Sequence, residues 1–114
     1  MAIINDTVQA VVALDAATIA SLGGMALADS AALVNVGAST SSVTIASANS
    51  GRNSLVVVND STAVLYLKYG STASSSSYTY KLGPGDIFEM STVYTGIVTG
   101  IWASVNGNAR VTEI

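Results

Sequence analysis

Asp86 and Glu89 are the only two carboxylates that stand close together in the chain. Two carboxylates flanking one bond are the apparatus of glycoside hydrolysis. Residues three apart in a strand point to opposite faces, so this spacing favours a turn aspartate beside a solvated glutamate. Asn59-Asp60-Ser61 and Asn5-Asp6 offer oxygen ligands. Calcium takes about six to eight oxygens, several from carboxylates, and a lone loop aspartate more often caps its own backbone. No metal and no cofactor is therefore expected. Tyr78, Tyr80, Tyr94 and Trp102 have two readings, a platform on which sugar rings stack or the packing between two sheets.

Composition removes other chemistries. The 114 residues contain no cysteine and no histidine, so thiol nucleophiles, imidazole bases, the usual zinc sites and disulfide scaffolds are absent. Arg52, Lys68, Lys81 and Arg110 are the only cations, and the formal net charge is −3. Phosphate-backbone binding needs clustered cations, and no nucleic acid is expected. The opening MAIINDTVQA has no basic region of the kind that starts a secretory signal. Residues 16–28, the longest uncharged stretch in the N-terminal third, are too few and too rich in Ala, Ser and Gly to span a bilayer. Charged residues are 10% of the chain, against about 25% in ordinary soluble domains. Half of the residues are apolar, many of them Ala and Val. Such a surface repels its neighbours weakly and suits a chain that stays bound to something. No enzymatic activity is expected.

The elements that would position these residues fall into two parts. All seven aromatic residues lie between Tyr66 and Trp102, and residues 1–38 have none. We read residues 1–40 as an N-terminal arm for attachment or oligomerisation and residues 41–114 as a β-domain. In the arm, residues 15–22 and 29–34 have the pattern of short helices, and residues 7–14 read equally as a strand. In the β-domain, residues 42–48, 54–59, 63–69, 78–82, 87–90 and 97–105, with a last strand after Asn106-Gly107, alternate with turn signals. About seven short strands so spaced predict an all-β fold, a small antiparallel β-sandwich or barrel.

Two connections read as hairpins. A loop over residues 59–62 pairs Val58 with Ala63 and Val56 with Leu65. The opposite face then carries Val57, Val64, Tyr66 and Lys68, too apolar to be left bare. Asn106-Gly107 is the strongest hairpin signal, and a two-residue turn there pairs Trp102 with Val111. The turn Gly83-Pro84-Gly85-Asp86 resembles the PGD turn of cupins, whose metal-binding histidines have no counterpart here.

The run from Val58 through Asn59-Asp60-Ser61-Thr62 to Tyr69-Gly70 is followed by Leu82-Gly83-Pro84-Gly85-Asp86, Tyr94-Thr95-Gly96, Gly100-Ile101-Trp102 and Gly107 to Glu113. This order resembles a small β-domain of tailed-bacteriophage virion proteins, often at the C-terminus of head-fibre, decoration or other structural proteins. The resemblance covers residues 54–114. It implies a non-enzymatic virion protein, foremost a decoration or cement protein on the capsid surface, made in the host cytoplasm. Its partner would be the major capsid protein or another virion protein. A fibre, neck or tail module that binds host-surface glycans is the alternative. The expected oligomer is a homotrimer, joined through Val57, Val64 and Tyr66 or through Val8, Val11, Val12 and Leu14 of the arm.

Overall fold

The computed structural model describes residues 28–114. Val8, Val11, Val12 and Leu14, and the elements expected over residues 7–14 and 15–22, lie outside the described residues. Eight strands run through the rest: β1 (Ala32–Gly37), β2 (Val43–Ala46), β3 (Leu55–Asp60), β4 (Leu65–Tyr69), β5 (Tyr80–Leu82), β6 (Ile87–Glu89), β7 (Val98–Trp102) and β8 (Asn108–Glu113). They form two four-stranded sheets, ordered β1-β8-β3-β6 and β2-β7-β4-β5. The fold is an antiparallel β-sandwich, as the turn spacing predicts.

Its pairing follows one rule. β1 pairs β8, β2 pairs β7, β3 pairs β6 and β4 pairs β5, all antiparallel. That is one long hairpin of four strands out and four back. Rolling the hairpin up brings β3 against β8 and β4 against β7 as well. This winding is a jelly roll. Every connection except β4–β5 therefore crosses from one sheet to the other.

The crossings correct both expected hairpins. Residues 61–64 carry the chain between sheets, so β4 lies across the core from β3 and not beside it. Leu55 and Val57 face Leu65 and Leu67 through the interior, and all four are fully buried. Val57 is thus a core residue and is not on an exposed face. Val56 and Val58 point outward in its place. Residues 103–107 likewise cross between sheets. Trp102 pairs with Leu65, and Val111 pairs with Val57 and Val34. Gly107 fits this crossing because its φ is +81° and a Cβ there would run into the Asp60 carbonyl and Ser61.

The helix expected over residues 29–34 is corrected too. Ala32, Leu33 and Val34 belong to a strand and not to a helix, and β1 pairs β8 over six residues from Ala32↔Glu113 to Gly37↔Asn108. Its β-branched valines alternate with Leu33 and Asn35, the period of a strand. The sandwich therefore begins inside the segment assigned to the arm, which accounts for eight strands where about seven were expected.

The core lies between the sheets. Leu55, Val57, Phe88, Ala109 and Val111 from one sheet meet Ile45, Leu65, Leu67, Leu82, Val98 and Trp102 from the other. A register shift between Thr44 and Ala46 is a bulge that turns both Ile45 and Ala46 inward.

Candidate interaction surface

Two buried polar side chains hold opposite ends of the sandwich. At the end where β3 begins, the Arg52 guanidinium has no exposed side-chain surface. Its Nε donates to Glu113 Oε2 at 2.7 Å, Nη1 to the carbonyls of Tyr94 (2.7 Å) and Gly96 (2.9 Å), and Nη2 to the Ser47 carbonyl (2.6 Å). One side chain thereby ties the β2–β3 connection, the β6–β7 connection and the last turn of β8. At the other end, the Asn59 amide nitrogen faces the carbonyls of Ala63, Leu82 and Gly83. Its Oδ1 accepts from Ser61 Oγ and from the Trp102 indole N–H at 3.2 Å. Sequence reasoning missed both roles. The only hint was that Arg52 is the first cation in the chain, which marks the residue but not its burial.

The residues suspected of chemistry are occupied structurally. Asp86 Oδ2 accepts from the Gly83 N–H at 2.7 Å and closes the Pro84-Gly85 turn. Glu89 sits exposed in β6 opposite Val56. Asp60 pairs with Arg110 at 2.9 Å on the surface. Among the described residues, no group of three or more Asp or Glu converges, and every buried side-chain N or O has a hydrogen-bond partner. Trp102, at 2% exposure, belongs to the core and not to a surface platform. Tyr94 stacks on Tyr69 with ring centres 4.5 Å apart, and Tyr80 packs on Phe88 at 4.6 Å.

Both outer sheet faces carry candidate contact residues. On the β2-β7-β4-β5 sheet, Val64, Tyr66 and Lys68 are half-buried, as expected of a face that needs cover. Part of the cover comes from the β4–β5 connection. Tyr78 packs against Tyr66 at 5.0 Å, Lys68 Nζ donates to Ser77 Oγ at 2.7 Å, and Lys81 Nζ lies 6.0 Å from the Tyr66 ring centre.

The other outer face has less cover. The register lines up Leu33, Thr112, Val56 and Glu89 in one row and Asn35, Arg110, Val58 and Ile87 in the next. Leu33 is 75% exposed and Ile87 61%. The apolar patch continues around the edge at β1, where Val34 is 54% exposed. There the two sheets splay and leave a cleft of about 440 Å³ lined by Ala32, Val34, Val36, Ile45, Ala46 and Val111, among others. A partly apolar sheet face running into a strand edge left unpaired by the described residues has the features of surfaces that contact other molecules.

Against known proteins, no family model matches the chain, and no curated protein and no solved structure is found to be similar.

Proposed function

We propose that this chain is a non-enzymatic structural protein of a tailed-bacteriophage virion, a decoration or cement protein on the capsid surface. The observation that carries the reading is the outer face of the β1-β8-β3-β6 sheet, where Leu33 and Ile87 are exposed and Val56 and Val58 half-buried. Two of the ionic groups beside it are paired, Arg110 with Asp60 and Glu113 with Arg52, and Glu89 stands exposed in the row with Val56. A face with few charges like this is suited to a broad contact with the major capsid protein. Residues before β1, with Val8, Val11, Val12 and Leu14, would add to that contact. A protein that binds only the assembled shell stabilises it by mass action, by about 2.7 kcal/mol per site at a hundredfold excess over Kd. Jelly rolls serve in viral capsids, lectins and cupins alike, so the winding admits this role without selecting it.

The test mixes purified full-length chain with heads stripped of decoration. Saturable occupancy and a raised melting temperature of the heads are expected. Heads that bind none of the chain refute the reading. A second reading, a fibre, neck or tail module that binds glycans, is favoured by Tyr66 and Tyr78 beside Lys68 and Lys81 on the opposite sheet. Glycan binding lost in Tyr66→Ala and Tyr78→Ala, together with low copy number, would select it.

A further inference from the structure

Among the described residues the sandwich has four strand edges, and three of them are blunted. β5 and β6 are three residues long and carry Lys81 and Glu89, with Pro84 between them. β2 is four residues long and bulged. Short strands, charges, prolines and bulges are the devices that keep edges from pairing. β1 has none of them. It is six residues long, regular in register, uncharged and free of proline, and it is largely exposed, with Ala32, Val34 and Val36 on one face and Leu33 beside Asn35 on the other.

We infer that the edge of β1, unpaired among the described residues, pairs with the same edge of a second copy, antiparallel across a two-fold axis at Val34. Three observations select a second copy as the occupant. First, an antiparallel edge is self-complementary about a two-fold axis, and the parity of β1 permits it. Ala32, Val34 and Val36 face the cleft while Leu33 and Asn35 face outward, and opposed residues in one sheet must share a face. With Val34 opposite Val34, Ala32 meets Val36 and Leu33 meets Asn35. Each side chain then finds its own face, and Gly37 falls outside the paired residues. Second, no charge opposes the approach. The strand has none, and Glu113 and Arg110 on the neighbouring β8 are already paired. Third, the pairing joins the two clefts, so Val34 and Ala32 lose contact with water on the side where the cleft opens. The product is one continuous eight-stranded sheet across two copies. Two five-residue edges bury less than the roughly 1,200 Å² at which specific stable interfaces begin, so the association is reversible and concentration-dependent. None of this depends on the virion reading.

The chain has no cysteine, which allows a register-specific test on the full-length protein. Opposed residues of an antiparallel pair have Cα atoms about 4.5–5.5 Å apart, inside the disulfide range of about 4.4–6.8 Å. Val34→Cys under mild oxidation should give covalent dimers at least tenfold faster than Ile87→Cys, an exposed control on the far edge. Val34→Lys should leave the protein monomeric at concentrations where the unaltered chain sediments as a dimer. Equal cross-linking of the two cysteine variants would overturn the inference, even if Val34→Lys failed to fold. So would an unaltered chain that stays monomeric throughout, or a trimer that survives Val34→Lys.

Discussion

Arg52 makes four charge-assisted contacts from a fully buried position, and removing one partner of a buried pair costs about 3–5 kcal/mol. Arg52→Ala should lower the unfolding free energy read from urea denaturation by that order and loosen both connections that it ties. Arg52→Lys keeps the charge, but an ammonium cannot reproduce the planar fork, so most of the loss should remain. Trp102→Ala should cost about 3–5 kcal/mol of stability. Trp102→Phe should cost less, because it keeps packing and removes only the indole donor to Asn59. Tyr69 adds a pH dependence. Burial, reinforced by Tyr80, raises its phenol above the ordinary 10.0, so the folded state prefers the neutral form. The unfolded chain ionises first. Stability should be flat below pH 10 and fall as pH rises through 10 toward the folded value. Urea midpoints of Tyr69→Phe measured across that range should show a shallower alkaline decline.

At the scale of elements, β1 is the part whose role changes most. A chain beginning at Ala28 keeps β1 and should melt as one cooperative unit. A chain beginning at Ala38 lacks it, uncovers the β8 edge with Ala109 and Val111 beneath, and should melt at lower temperature and aggregate. Circular dichroism and light scattering on the two chains decide this. The strands from β2 onward were legible in the sequence because β-branched and aromatic runs alternate with Gly, Pro, Asn and Ser turns. Strand connectivity was not. A four-residue turn between two apolar strands looks the same whether the chain returns beside itself or crosses over the core. The Asn59 side chain, which reaches from the β3–β4 crossing to the β5–β6 turn, makes the difference at one crossing. Gly107 makes it at another, where Asn106-Gly107 had the signature of a hairpin. Reading the β3–β4 crossing as a hairpin shifted residue parity across the layers, which is why Val57 was expected outside and Val56 and Val58 were not. Of the expected contact residues among those described, Val64 and Tyr66 do lie on an outer face.

For the whole molecule, charge and shape point the same way. Among the described residues, two of the four cations are held in ion pairs, and the widest apolar exposure lies on one sheet face and its edge. A lysine placed on that face, as in Val56→Lys or Ile87→Lys, should leave melting nearly unchanged and reduce occupancy of stripped heads at least tenfold. The same change on the opposite sheet, as in Ile101→Lys, should leave occupancy intact if that sheet faces away from the capsid. The most direct measurement is the number of copies of this chain per purified particle, taken as its ratio to the major capsid protein by quantitative mass spectrometry. A decoration protein repeats with the capsid lattice, so a ratio near one or a simple fraction of one is expected, on the order of hundreds of copies. A handful of copies per particle, or none, would contradict the account.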